Sequence, residues 1–305
     1  MLVVLAGSSG LLGQALRGRL AERGDRVLRL VRGEPTHPDE RRWDPRAGML
    51  DPAVLAGADA VISLGGAGVA RLWTGGARRL IRDTRVDVTA TVARAVAEAR
   101  PRPPVLLSAS AIGYYGHRGD EAVDEHSPAG DGFLAEVCRV WEAATRPAED
   151  AGTRVVHLRT GLVLAAGGGL LGPMLPQFRL GLGGRMGTGR QYWPWITLAD
   201  WLGAVEFVLA RPDLAGPVNL VGPDPCRNVE FTAALGRAVH RPSLLPVPAP
   251  LLRLVLGEFS SELLNSRRVL PTVLTTAGYT YRHPQLDGAL RAVLAAGQVR
   301  DTLDR

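Results

Sequence analysis

Apolar positions along the chain fall into two rhythms. Leu2 to Ala6, Val27 to Val31, Ala60 to Leu64, Val105 to Leu107 and Val155 to Leu158 are short, nearly unbroken apolar runs. That pattern predicts strands buried on both faces of a sheet, where no position needs to alternate toward water. Between them, Leu11 to Arg23, Gly76 to Ala99 and Asp131 to Asp150 read as helices. Strand and helix alternate as far as Leu209, which predicts an α/β fold built on a doubly wound parallel sheet.

Residues 160 to 195 break this rhythm. They are rich in glycine and show little periodicity, so a long loop is expected, and loops of that length in compact domains are usually functional or mobile. A helix over Leu198 to Leu209, with Asp200 in its first turn, and a short strand over Val218 to Val221 follow. Past Pro223 the prolines multiply (Pro225, Pro242, Pro246, Pro248, Pro250, Pro271), which predicts several short helices. The expected division is a first domain over residues 1–222 and a small, mostly helical C-terminal region over residues 223–305 packed on it.

Composition narrows the partners. Hydrophobic residues fill 46% of the 305 positions but aromatics only 5%, so Leu, Val and Ala must build the core. A formal charge of +6 raises the question of nucleic acid. Yet all 36 basic residues are arginine, dispersed rather than gathered in a tail, and small phosphate-bearing ligands explain them more simply. Nucleic acid is therefore not expected as a partner. Cys138 and Cys226 cannot make a disulfide framework, and the six histidines lack ligand spacing, so no metal site is expected. No apolar run approaches the ~20 residues of a membrane helix. The chain also opens on a strand with no basic leader, and a cytoplasmic location without membrane association is the expectation.

The segment VVLAGSSGLLGQAL places Gly7, Gly10 and Gly13 between the first strand and the first helix. Glycines at this spacing allow a tight turn, close backbone approach to a pyrophosphate, and close helix–strand packing, while the helix N-terminus faces the phosphates. The second strand ends at Arg32, where an NAD enzyme usually carries an acidic residue for the ribose 2′-hydroxyl. Arginine there suits a 2′-phosphate and points to NADP(H). Glu34, two residues on, keeps the alternative of a ribose hydroxyl open.

With SLGGAGV (63–69) and LLSASAIGYYG (106–116), the chain resembles an extended short-chain dehydrogenase/reductase, whose fold is of Rossmann type. It more narrowly resembles the epimerase-like subfamily, often called sugar-nucleotide epimerases and in some bacteria likened to a cell-division inhibitor. RLWTGGARRLIRDTRVDVT (71–89), FLAEVCRVWEAAT (133–145), RVVHLRTGLVL (154–164), PQFRLGLGGRMGTGRQYWPWI (176–196) and GPVNLVGPDPCRNVEF (216–231) carry that match. The segments 241–258 and 268–290 resemble the subfamily's small C-terminal domain. The resemblance implies that backbone around Gly7, Ser9, Gly10, Leu11, Leu12 and Gly13 binds the pyrophosphate and Arg32 the 2′-phosphate. It further implies Leu64 and Gly65 along the adenosine ribose, Ser108 near the nicotinamide ribose, and Arg159, Thr160 and Gly161 beside the nicotinamide.

The wider superfamily donates a proton from a tyrosine paired with a lysine four residues on. A chain without lysine has no such pair, and Phe133 and Val137 stand as its nearest equivalents. Pro194 and Thr197 replace the serine and histidine that relatives often carry near this tryptophan–isoleucine step. A substitute donor must reach the substrate carbon with a tunable pKa. Tyr115 with Ser110 is the first choice; alternatively Tyr114, Tyr115 and Gly116 only fix a loop. His117, Asp124, Glu125 and His126 follow in a polar loop where solvation is the plainer reading, and Glu142 is expected to pair with an arginine. Tyr192, Trp193 and Trp195, with Arg185 and Arg190 just before them, form either a ligand platform or a packing seam. Two functions remain in view: an oxidoreductase or epimerase on a small carbonyl or sugar-derived substrate of unknown identity, or a non-catalytic NADP-binding regulatory or redox-sensing protein. Helices such as 76–99 could support a homodimer.

Overall fold

The computed structural model describes residues 1–303, with side chains described to residue 297. Seven strands form one parallel sheet: β1 (Leu2–Ala6), β2 (Arg26–Val31), β3 (Glu40–Arg42), β4 (Ala60–Ser63), β5 (Val105–Ala111), β6 (Arg154–Thr160) and β7 (Gly216–Leu220). Their spatial order is 3-2-1-4-5-6-7, with Val4 of β1 flanked by Leu28 of β2 and Val61 of β4. The order reverses between β1 and β4, the topological switch point beside which open parallel sheets bind ligands.

Helices cover both faces, as the unbroken apolar runs require. On one face α1 (Leu11–Glu22) and α4 (Leu198–Ala210) bury Leu16, Leu20, Trp201, Val205 and Val208 against Val3, Leu5, Ile62 and Leu158. On the other, α2 (Gly75–Glu98) sets Val88, Val92 and Val96 against Val4, Ala6, Val61 and Leu106. Successive residues of a strand thus serve different helices, following the period of two. Leu16 and Leu20 are fully buried, each contributing about 1.5–3 kcal/mol relative to exposure.

Three expectations need correction. The helix expected over Asp131 to Asp150 is two, α3 (Phe133–Ala143) and a short one over Arg146–Asp150. Pro147 has no N–H for a continuous ladder, and the Thr145 hydroxyl donates instead to Glu142 O, 2.7 Å away. The expected loop over 160–195 is largely regular: Leu162–Ala165 pairs in parallel with Trp195–Thr197, and Leu171–Arg179 is helical. Strand β3 escaped detection because its sequence, Glu-Arg-Arg, is polar. It is held as an edge by Glu40, which accepts from Thr36 N–H at 2.6 Å and pairs with Arg29 at 2.9 Å.

Beyond β7 lie α5 (Asn228–Ala238), α6 (Ala249–Leu256) and α7 (Leu286–Leu303), with short helical turns between. Phe231, Leu235, Leu286 and Leu290 pack with Trp193, Trp195, Met174 and Phe178 in a separate apolar cluster. Buried Asp200 ties the end of the chain down by accepting from the N–H groups of Arg282 (2.6 Å) and His283 (3.2 Å). Thr197 caps α4 by accepting from Asp200 N–H at 3.0 Å.

The glycine turn is sterically compulsory at two points. Gly7 has φ +84°, and a Cβ on Gly13 would lie 2.1 Å from Gly7 O. Gly13→Ala should therefore lower stability by roughly 1–3 kcal/mol, read as a reduced midpoint in urea unfolding; an unchanged midpoint would mean that the turn tolerates a side chain.

Candidate functional site

The carboxyl ends of β1, β4, β5 and β6 share one edge of the sheet, and the glycine turn opens there. Gly10 is the N-cap of α1, yet no side chain caps the helix. A Cβ on Gly10 would meet only Gly7 O, at 3.9 Å. Packing therefore does not demand glycine at this position, and the open space over the turn would allow close backbone approach to a ligand. The amides of Leu11 and Leu12 begin an uncapped helix, a ready anion site by dipole and donors together. Ser9 stands in the turn, its carbonyl accepting from Gln14 Nε2 at 2.7 Å.

Arg32 follows β2 and is exposed, with no hydrogen bond or ion pair to any described residue. Glu34 is engaged by Arg42. Leu64 continues from β4, donating its N–H to Ala6 O at 2.9 Å, and Gly65 lies against Gly7. Ser108 is fully buried in β5, in register with Ser63 of β4 and His157 of β6. Thr160 accepts from Trp201 Nε1 at 3.1 Å, and Gly161 N–H donates to Leu220 O at 3.0 Å. A glycine cradle, an uncapped helix and an unpaired arginine at the end of the neighbouring strand fit a dinucleotide carrying an extra phosphate.

Next to this edge lies a buried polar network. Arg159 of β6 grips Glu142 of α3 with two parallel hydrogen bonds, Nε to Oε1 at 2.8 Å and Nη2 to Oε2 at 2.9 Å. Glu142 thus pairs with an arginine as expected. The Ser110 hydroxyl donates to Glu142 Oε1 at 2.6 Å. Arg159 also donates to the Tyr115 hydroxyl at 3.1 Å, which in turn donates to Asn219 Oδ1 at 2.7 Å. Asn219 N–H donates to Glu125 Oε1 at 3.0 Å, and Tyr114 lies under the Arg159 guanidinium, 3.5 Å from ring centre to carbon. Burial pushes the Glu142 carboxyl up, but hydrogen bonding and charge from Arg159 outweigh it and hold the group below the ordinary carboxylate range. Burial likewise lifts the Tyr115 phenol to about 12 against the pull of Arg159, and raises Glu125.

This geometry bears directly on the expected proton donor. Tyr115 is fully buried and Ser110 nearly so, and each hydroxyl gives its proton to an internal acceptor. Tyr115 thus joins Arg159 to Asn219 inside the network. Asn219, the acceptor at the end of this chain of bonds, lies in a short apolar strand, where its polarity inside GPVNLVG is the one sequence signal of a buried role. Glu125 proves buried where a solvated loop residue was expected, and its Oε2 has no partner among the described residues.

Helix α3 shows two faces. Phe133, Val137 and Trp141 look toward α2, with Trp141 Nε1 donating to Thr89 Oγ1 at 2.8 Å and Phe133 meeting Trp73 edge to face at 5.0 Å. Leu134, Cys138 and Glu142 look toward the end of β5, where a Cβ on Gly113 would meet Leu134 and Cys138, and Glu142 meets Ser110. The positions that oppose β5 are therefore Leu134 and Cys138, one residue on from the Phe133 and Val137 read from sequence. Burial lifts the Cys138 thiol to about 12, so it is no substitute acid near neutral pH.

Phe133 instead lines a cavity of about 640 Å³ with Trp73, Arg78, His117, Arg253 and Glu258. His117 Nδ1 accepts the N–H of Ser266 at 3.0 Å, so the neutral ring carries its proton on Nε2. The guanidinium of Arg78 lies 4.6 Å over the Phe133 ring. Trp193 and Trp195 form a packing seam, both buried, with Trp193 on Phe231 at 5.4 Å between ring centres, whereas Tyr192 is half-buried with the Arg227 guanidinium 4.5 Å from its ring centre.

Comparison with known proteins agrees with this architecture. Residues 3–221 match the NAD dependent epimerase/dehydratase family, and residues 247–293 match a domain of unknown function, DUF1731. An epimerase family protein of Mycobacterium bovis is 47% identical over 290 residues, covering 94% of this chain and 96% of that protein. The crystal structure of human epimerase family protein SDR39U1 with NADPH superposes with a TM-score of 0.90 at 32% identity, covering 97% of this chain and 99% of that one. UDP-N-acetylglucosamine 4-epimerase from Bacillus cereus, at 14% identity and a TM-score of 0.76 over 98% of this chain and 99% of that one, shares the fold.

Two outcomes follow from the buried network. Glu142→Gln leaves Arg159 charged and without a carboxylate, so unfolding stability should fall by about 3 kcal/mol. Because Glu142 titrates lower folded than unfolded, its contribution is present above the ordinary carboxylate pKa and lost as pH falls through the folded value. A wild-type and Glu142→Gln pair with parallel stability–pH curves in that acid range would contradict this linkage. Tyr115→Phe leaves Asn219 Oδ1 without its donor and should cost ~1–3 kcal/mol, measured by chemical denaturation with NADPH affinity followed alongside.

Proposed function

The chain belongs to the NAD dependent epimerase/dehydratase family, and from that membership we propose an NADP(H)-dependent oxidoreductase or epimerase acting on a small carbonyl or sugar-derived substrate. One observation carries the choice of NADP(H): Arg32 is unpaired and exposed at the end of β2, while Glu34 is engaged by Arg42. The human relative described with NADPH supports the same choice. In this reading the Gly7–Gly13 turn, with Ser9, Gly10, Leu11 and Leu12, holds the pyrophosphate and Arg32 the 2′-phosphate. Leu64 and Gly65 lie along the adenosine ribose, and Ser108 serves the nicotinamide ribose. Thr160 and Gly161 border the nicotinamide with backbone, and Arg159 acts there through the strand it anchors, since its guanidinium is committed to Glu142 and Tyr115.

When bound, the nicotinamide exchanges hydride with the substrate carbon. The protein must then position that carbon and handle one proton. Ser110, its own proton directed at Glu142, presents lone pairs and so accepts from a hydroxyl or amide. Tyr115 is a positioning residue that locks Arg159 from behind. The cavity walled by Trp73 and Phe133 receives the substrate, and His117, with its proton on Nε2, is the acid/base group that faces it.

Arg32→Glu should weaken NADPH binding about tenfold or more, the scale of one charge-assisted hydrogen bond, with a smaller change for NADH; equal losses for both would remove the 2′-phosphate assignment. Stopped-flow oxidation of bound NADPH against aldehydes, ketones, quinones and nucleotide sugars tests the chemistry. His117→Gln should slow turnover on the order of a hundredfold without altering NADPH affinity. Tight NADPH binding with no oxidation across the panel would favour instead a cofactor-holding regulator, a reading in keeping with the absence of tyrosine or lysine from both inner faces of α3.

A further inference from the structure

Three segments that meet beside the cavity contain no acidic residue: 68–82, 176–190 and 241–257. They carry nine arginines. Their contact is direct: Leu245 N–H donates to Gly183 O at 3.2 Å, Val247 N–H to Arg185 O at 2.9 Å, and Arg241 Nε to Arg179 O at 3.1 Å. A Cβ on Gly257 would sit 3.7 Å from Leu72. The bordering acids Glu258 and Asp83 face Arg78 and Arg82. Arg71, Arg79, Arg179, Arg185, Arg190, Arg241 and Arg253 have no carboxylate partner among the described residues.

The same segments expose a run of leucines and a valine. In α6 only Leu252 is buried, while Leu251, Leu254 and Val255 face outward, Leu254 being 83% exposed. Leu244, 81% exposed, joins Leu245, Leu180, Leu182 and Leu72 along the adjoining loops. Scattered surface leucines need no explanation, but a ridge of seven with Val255 on contiguous segments marks an interaction surface. A second copy of the chain fits it poorly. An isologous dimer presses one patch on itself, so unpaired arginines would meet arginines.

We propose that this ridge docks on the surface of an anionic phospholipid bilayer, with α6 lying in the interface. Leucines entering the acyl boundary and arginines at headgroup level are the two complementary halves of such a contact. The contact is peripheral: among the described residues, no helix is long and apolar enough to cross a membrane. It goes beyond the sequence-based expectation, since the lack of a spanning run says nothing of leucines turned outward. Arg253 and Gly257 border both the ridge and the cavity, so docking would hold the cavity at the lipid interface.

Flotation of the full chain with vesicles tests the proposal, comparing phosphatidylcholine containing phosphatidylglycerol with phosphatidylcholine alone. The expected result is binding to the anionic vesicles only, falling with added salt. Leu254→Ser with Val255→Ser should reduce the vesicle-bound fraction about tenfold or more. Arg179→Gln with Arg185→Gln should weaken it with a shallower salt dependence, and NADPH affinity should stay intact in both double variants as a check of folding. No binding to anionic vesicles, or binding that the Leu254/Val255 variant leaves unchanged, overturns the proposal. A wild-type dimer in sedimentation that the Leu254/Val255 variant dissociates, with no vesicle binding, overturns it in favour of a second copy.

Discussion

The bidentate pair of Arg159 and Glu142 is the contact on which the working edge of the sheet depends. It joins β6 to α3, draws Ser110 of β5 toward the helix, and through Tyr115 reaches Asn219 of β7. A buried ion pair of this kind is costly to form, because both ions leave water, and costlier to break, because the survivor is stranded. Its value here is geometric. Three neighbouring strands and one helix are held at fixed spacing where a dinucleotide and its substrate would meet, and each polar group is oriented by the next.

That rigidity has a chemical consequence. The hydroxyls of Ser110 and Tyr115 are spent on the network, so the inner wall of the site offers acceptors and a fixed frame instead of a free proton. The polar side chains that line the cavity come from elsewhere, from α2, the loop following β5 and the C-terminal region: Arg78, His117 and Glu258. The face of α3 that meets the end of β5 is Leu134 and Cys138, and the acid/base role proposed for His117 lies on a separate segment.

Much of this was legible in the residues. Unbroken apolar runs gave the buried strands, and the glycines at 7, 10 and 13 gave the first turn, since short-range sterics dictate both. Arg32 was readable because a strand end places its next side chain at a fixed edge. Other features were not. Strand β3 is polar because only one side needs a partner, and the regular elements within 160–195 were masked by glycines that serve their turns. The roles of Tyr115 and Asn219 depend on each other from 104 residues apart, a pairing that no local pattern encodes.

The sequence by itself determined the layered α/β fold, the tight glycine turn after β1 and the exclusion of a tyrosine–lysine pair. Each of these follows from local periodicity, backbone sterics or the plain absence of lysine. Only the tertiary structure decided which face of α3 meets β5, which hydroxyls are already committed, and that the leucines of α6 turn outward beside unpaired arginines. Those are matters of relative placement, and side-chain direction against a distant neighbour is set by how helices and strands pack together, not by the order of residues within any one of them.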